Sequence, residues 1–399
     1  MQRGIIFAGL MVFAMGQTIL FAMLGPAARE IGLAEWQVGA IISASAIVFV
    51  AISPLWGSLA DRWGRKNVIV TGLGSYALAT LLFAWLLNLG MQGVMGASAT
   101  FFALVAARLV YALGAGGIQP AAIAMMADLT SKEDRSAGVA AVGAAFGVGT
   151  VIGPAAAYAF VGFGLLVPLL IAAAAACAIS IMAAVFVTDP ERSTDTANNR
   201  HASLLSLREI APFMVLSLGT FTAIASIQQT MAFFIQDFTG SNAVETTRLA
   251  GNAFVVLALA MLFVQGGVVQ KLKPSPTTML AIGFPIAMAG IATMALAPSY
   301  AIMIVGFGVM GAGFGLVQPG ISAFVSLVTG AEAQGNAAGY VQAAMAGGFV
   351  VGPLAGTALY GIEPRAPLVL ALACCWLCLG LFVWTVFSRA QNAAKSPAE

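Results

Sequence analysis

Apolar residues in this chain fall into long runs separated by short polar joints, and these runs decide the architecture. A helix that crosses a bilayer needs roughly 20 apolar residues. Twelve segments meet that requirement: 4–24, 38–58, 68–90, 99–126, 136–160, 163–187, 210–235, 248–270, 276–297, 299–327, 335–360 and 366–388. The longest polar interval, Thr188 to Glu209 (TDPERSTDTANNRHASLLSLRE), has the Pro, Ser, Asn and charge content of a flexible linker. The pattern predicts an all-α integral membrane protein with two six-helix bundles. The N-terminal bundle is residues 1–187, the linker 188–209 and the C-terminal bundle 210–399.

The two bundles also repeat one another. A shift of 199 residues carries Leu104–Pro120 (LVAARLVYALGAGGIQP) onto the run that ends at Pro319, superposing Gly114 on Gly313, Gln119 on Gln318 and Pro120 on Pro319. The same shift carries Glu133 onto Glu332, and Gly149, Gly153 and Pro154 onto Gly348, Gly352 and Pro353. It also places Phe307 where Arg108 stands, so the repeat is charged in one half and apolar in the other. The Gln-Pro pairs mark spans 4 and 10 as expected flexing points.

Composition agrees with the pattern. Hydrophobic residues make up 60% and charged residues 8% of the chain, against about 25% charged in soluble domains. Lipid is therefore the expected solvent for most of the surface. The net charge of +2 implies no nucleic-acid partner. Cys177, Cys374, Cys375 and Cys378 lie inside apolar runs and read as small buried hydrophobes, with no metal or disulfide spacing. The one histidine, His201, is in the linker, so no zinc or catalytic cluster is expected. The first apolar run is long and lacks a convincing cleavage site, which makes it a retained span.

The cations set an orientation. With the N-terminus in the cytoplasm, that side holds Arg3, Arg62, Arg65, Lys66, Lys132, Arg135, Arg192, Arg200, Arg208, Lys271, Lys273, Arg389 and Lys395; the other side holds only Arg29, Arg248 and Arg365. Both termini and the linker are thus expected on the cytoplasmic side of a cell (inner) membrane. Six plus six spans with a half-to-half repeat is the layout of a secondary transporter with its site near the midplane. The loops leave no room for a nucleotide-binding domain and no G-x-x-x-x-G-K-[ST] loop occurs, so an ion or substrate gradient, not ATP, has to drive transport.

Between spans 2 and 3 stands Gly57-Ser-Leu-Ala-Asp61-Arg62-Trp-Gly64-Arg65-Lys66. This resembles the loop signature of the major facilitator superfamily, and together with the runs in spans 4 and 5 the resemblance covers the chain. It is nearest to the twelve-span drug:proton antiporter branch of tetracycline and multidrug exporters. That branch implies a conformational latch, with Asp61 facing the start of span 11 near Gln334 and Arg65 pairing with Asp128. Gly57 would allow close backbone approach and Gly64 a tight turn. Arg108 matches the arginine of the family's second motif, with an implied role in proton coupling or substrate binding. The antiporter glycine signature of span 5 is met at Gly149, Gly153 and Pro154 but replaced at Ala140, Ala157 and Tyr158. Span 11 fits it better, through Gly339, Gly348, Gly352, Pro353 and Gly356. Small residues at this spacing also serve close helix packing.

No acid lies at the middle of a span. Asp237, in the outer part of span 7, is the best-placed proton carrier, with a solvated acid at a helix end as the competing reading; Glu30 is a poorer choice. With one intramembrane charge and that charge positive, the cavity is expected to take a neutral, zwitterionic or anionic amphipathic molecule. Gln17, Tyr111, Gln119, Gln228, Gln229, Gln318 and Gln342 are expected to line it, because hydrocarbon cannot satisfy such groups. Phe21 and Phe233 are candidate aromatic walls, with Phe234. The expectation is a monomeric transporter of a small molecule, no enzyme, working by proton-coupled efflux. The alternative is uptake or facilitated diffusion of a metabolite or siderophore-like anion.

Overall fold

A computed structural model of the chain describes residues 1–130, 135–189, 207–329 and 334–395. Glu133 and Glu332, with Lys132, Asp134, Arg192, Arg200 and His201, lie outside the described residues. Twelve helices in the described residues are long and apolar enough to cross a membrane. They are α1 (Gln2–Ile31), α2 (Glu35–Trp63), α3 (Arg65–Met91) and α4 (Ala97–Asp128). Then follow α5 (Arg135–Phe160), α6 (Val167–Phe186), α7 (Leu207–Thr239) and α8 (Ala243–Leu272). The last four are α9 (Pro276–Ala295), α10 (Tyr300–Val328), α11 (Gln334–Tyr360) and α12 (Ala366–Lys395). Helix is the natural outcome, because in hydrocarbon each backbone polar group needs a partner within its own segment.

The ends differ from the apolar runs in an informative way. α1 continues past residue 24 to Ile31, through Pro26, and stops at Gly32, whose φ of 81° is a left-handed cap. α7 likewise continues to Thr239. The hydrophobic run ends where lipid ends, but the helix goes on, so Arg29 and Asp237 both stand on last turns. The Gln-Pro echo also behaves differently in the two halves. α4 is interrupted by a turn at Gly116–Gly117, just before Gln119-Pro120, whereas α10 passes through Pro319 unbroken. α8 carries a π-helical stretch at Val264–Val269.

Packing divides the chain into two compact units, one of Met1–Ala197 with Gln229–Val255, the other of Asn198–Gln228 with Val256–Glu399. The packing boundary therefore falls inside α7 and α8, not only at the linker. The reason is local: Phe233, Asp237, Arg248 and Gly251 all meet side chains or backbone of α1 or α5.

Within the first unit, α5 lies on α1 along a ridge of small residues. A Cβ at Gly149 would collide with the Met11 carbonyl, and one at Gly153 with Met15 and Thr18. The carbonyl of Pro154 in turn lies 2.8 Å from where Gly251 would carry a Cβ. Within the second unit, Gly348 and Gly352 press on α7, and a Cβ at Gly352 would come within 2.8 Å of the Thr222 carbonyl oxygen. Pro353 sits inside α11 and accepts a hydrogen bond of 2.8 Å from the Thr357 hydroxyl. In each unit a glycine-bearing helix, α5 or α11, thus seats on α1 or α7 by close approach. Gly114 faces Ser75 of α3 as Gly313 faces Ala287 of α9, the repeat expressed as packing.

Candidate functional site

The interior of the first unit holds a charge. Arg108, on α4, is 7% exposed. Its Nη2 donates to Gln17 Oε1 on α1 at 3.4 Å, and its guanidinium carbon lies 4.3 Å from the centroid of the Tyr111 ring. The nitrogen of the same Gln17 carboxamide donates to the Tyr111 hydroxyl. One glutamine therefore joins the cation to the phenol, and the two polar groups of α4 are fixed by one residue of α1. No carboxylate pairs with Arg108 among the described residues.

Aromatic rings close the site. Phe13 stacks near Tyr111, and Tyr76 of α3 meets Phe13 and Tyr111 edge-on at 5.7 and 5.8 Å between centroids. The Tyr76 hydroxyl stands where a Cβ on Gly16 would be, so Gly16 is the residue that lets the phenol in. Arg108 Nε and Tyr76 Oη are buried without a hydrogen-bond partner among the described residues. Both border a cavity of about 10 Å³, together with Gly16, Thr80 and Phe83. That is room for about one water. Chemically the arrangement offers a cation with no acid partner among the described residues and a buried Nε–H beside a phenol. The counterpart Phe307 is fully buried, so the second unit has an apolar plug at the repeat-related position.

The loop between α2 and α3 is a second polar cluster. Gly64 has φ 96° and ψ 145°, a conformation that favours glycine, and it ends α2 and starts α3. Arg65 forms an ion pair with Asp128 and donates to the Ala124 carbonyl, both on α4. Asp61 is exposed and makes no hydrogen bond or ion pair among the described residues. Around Gly57 the structure is open: nothing lies within 4 Å of the place a Cβ would take, in contrast to the close backbone approach expected there.

A third cluster was invisible as such in the sequence. Arg29 donates to both carboxylate oxygens of Asp237, to Glu35 Oε1 at 3.0 Å and to Gln236 Oε1 at 3.4 Å. Its guanidinium carbon also lies 4.9 Å from the centroid of the Phe233 ring. The side chain of Asp237 is 42% exposed, so the acid is a surface ion-pair partner and not a midplane group. From the sequence alone Arg29 reads only as a topology charge. The signal missed was that residues 25–31 continue the helix.

The remaining predicted lining residues differ in burial. Phe233 is fully buried against Gly25, hence packed and not a free wall. Gln229 is 1% exposed, and among the described residues neither end of its carboxamide nor Oε1 of Gln228 has a hydrogen-bond partner. Phe21, Gln119 and Gln318 are half-buried, and Gln342 is exposed. Tyr76, Phe13 and Gly16 belong to the Arg108 site and were missed by the sequence reading. A tyrosine in mid-span is the cue that was available for Tyr76.

Comparison with known proteins agrees with this architecture. Residues 6–353 match the Major Facilitator Superfamily model. The chain is 23% identical to Multidrug resistance protein 1 of Bacillus subtilis (strain 168) over 92% of each chain. It is 22% identical to Quinolone resistance protein NorA of Staphylococcus aureus (strain MRSA252) over 93% of each. Among solved structures, a bacterial homolog of the human lysosomal transporter Spinster superposes with a TM-score of 0.78 at 13% identity, covering 99% of this chain and 98% of that one. The human organic anion transporter MFSD10 (TETRAN) gives 0.67 at 18% identity, with 95% and 98% covered. Twelve apolar helices, an internally repeated fold and the family match together make this chain a multi-pass membrane transporter of the Major Facilitator Superfamily.

Proposed function

We propose that the protein exports a small amphipathic organic compound across the cytoplasmic membrane in exchange for entering protons. The two six-helix halves rock about a central site, a single chain is the working unit, and both termini face the cytoplasm. The observation that carries this reading is Arg108. A mid-membrane arginine is costly, by about 2.5–3.5 kcal/mol on insertion scales. Here it is held by Gln17 and Tyr111 without an acid. A buried charge with no acid partner among the described residues suits a cargo that is neutral, zwitterionic or anionic better than a simple cationic dye. The resistance proteins among the relatives support export of drug-like compounds.

For coupling, the reading uses Asp237. Both of its oxygens are bonded to Arg29, so taking up a proton means giving up that pair. Proton entry and release of α1 from the last turn of α7 become one event. In relation to the latch, Arg65 with Asp128 holds the charge-rich end of the first unit, and Asp61 is free to meet a helix start.

The test is a proteoliposome with a trapped pH indicator. A fluorescent quinolone moving one way should drive protons the other way, and the signal should vanish in Asp237→Asn and in Arg108→Ala. An unchanged proton signal in Asp237→Asn would end its coupling role, and unchanged transport in Arg108→Ala would end the charge argument. The absence of an acid beside Arg108 also favours a second reading, uptake or facilitated diffusion of an anionic metabolite. That reading predicts anion counterflow with no drug-driven proton movement.

A further inference from the structure

The loop that carries Asp61 and Arg65 is completed by a residue far from it in sequence. α3 begins directly after Gly64, and Gly64 supplies no side-chain cap for it. The first N–H groups of a helix have no partner within the helix. Here the Lys66 N–H donates at 2.8 Å to Asp189 Oδ1, across 123 positions of chain. The second carboxylate oxygen of Asp189 occupies the place a Cβ on Gly64 would take. Gly64 is thus required twice, by its φ of 96° and by the approach of Asp189.

Asp189 follows the end of α6, and its neighbours hold it there. Val187 is 2% exposed, and the Thr188 hydroxyl accepts from Gln2 Nε2 of α1 at 2.7 Å. The carboxylate also sits at the positive end of the α3 dipole, where a negative charge is favoured. Arg65 is the first residue of α3 and reaches across to Asp128 and the Ala124 carbonyl. Its aim depends on where the first turn of α3 is held, and Asp189 is the side chain seen holding it.

We propose that Asp189 is the positioning residue of this loop, fastening the end of α6 to the start of α3 so that Arg65 stays aimed at Asp128. The proposal rests on the transporter reading only for its consequence in the transport cycle; the positioning itself does not need it. It makes the latch a three-helix device, with α6 joined to α3 and α4.

The experiment is hydrogen–deuterium exchange on the purified full-length protein in detergent micelles. It follows peptides from the start of α3 and from the end of α4, which contains Ala124 and Asp128. Loss of a capping acceptor should speed exchange at the first turn of α3 roughly fivefold to tenfold. Asp189→Ala should do this and also speed exchange at the end of α4, because Arg65 loses its aim. Asp189→Asn, which still offers an acceptor, should keep both regions close to wild type. Gly64→Ala should resemble Asp189→Ala, and the two together should add little. Unchanged exchange at α3 in Asp189→Ala overturns the proposal. So does faster exchange confined to α3, since a purely local cap would not reach α4. A melting curve of each variant separates these effects from global unfolding. Since exchange is read without substrate, its result stands whether or not the proteoliposome proton signal appears, and failure of the export reading shows only in the latter.

Discussion

The guanidinium of Arg108 lies over the ring of Tyr111, three residues on along the same helix, with 4.3 Å between the guanidinium carbon and the ring centroid. A cation in mid-span is thus stabilised by its own helix, through the negative face of an aromatic ring, and by one amide from α1. This geometry distinguishes arginine from lysine, whose compact ammonium cannot stack flat on a ring or present a fork of donors. Arg108→Lys should therefore cut initial transport rates about fivefold to thirtyfold, close to the loss in Arg108→Ala, if a cost of roughly 1–2 kcal/mol follows the lost stacking. Tyr111→Phe keeps the ring but removes the acceptor of the Gln17 N–H, and should be milder. Initial-rate measurements in proteoliposomes check the order.

Gly16 and Tyr76 make the second prediction. Any side chain at position 16 meets the Tyr76 hydroxyl, so Gly16→Ala overpacks the site. The expected cost is about 1–3 kcal/mol, seen as a lower melting temperature in detergent. Removing the hydroxyl should relieve it: Gly16→Ala with Tyr76→Phe should be more stable than the two single effects summed. Strict additivity would mean the phenol does not sit over Gly16.

Close packing of α5 on α1 and of α11 on α7 predicts a contrast among glycines. Gly153→Leu and Gly352→Leu each drive a side chain into backbone and should destabilise markedly or prevent accumulation of folded protein. Gly57→Ala meets nothing within 4 Å and should leave the melting temperature unchanged. If transport also stays at the wild-type rate in Gly57→Ala, close approach at that glycine plays no part in the cycle.

The Arg29–Asp237 pair is well formed yet partly exposed, and such pairs contribute at most about 1 kcal/mol after solvent screening. Arg29→Ala and Asp237→Asn should therefore change stability little, with a double-mutant coupling that shrinks as salt is raised. Any large effect should appear in transport instead. A coupling that is large and insensitive to salt would contradict a surface pair.

Orientation can be read by thiol labelling from either side of sealed vesicles. A cysteine at the exposed Val94 should react from outside the cell and one at the exposed Lys273 only from inside. The reverse pattern would invert the topology drawn from the cations.

Much of the fold was legible without coordinates. Twelve apolar runs and a 199-residue repeat are linear properties, and the bilayer leaves helix as the form such runs take. Arg108 was legible as a buried charge because its cost in lipid does not depend on its neighbours. What neighbours it has did depend on the fold. Gln17 and Tyr76 are carried by different helices, and only side-by-side packing of α1, α3 and α4 brings them to Arg108 and Tyr111. The same holds for Arg29 with Asp237 and for Lys66 with Asp189, pairs 208 and 123 residues apart. Hydrophobicity along the chain determines which segments enter the membrane. Which polar groups then satisfy one another is decided by the rotation and depth of each packed helix, and those are properties of the tertiary structure alone.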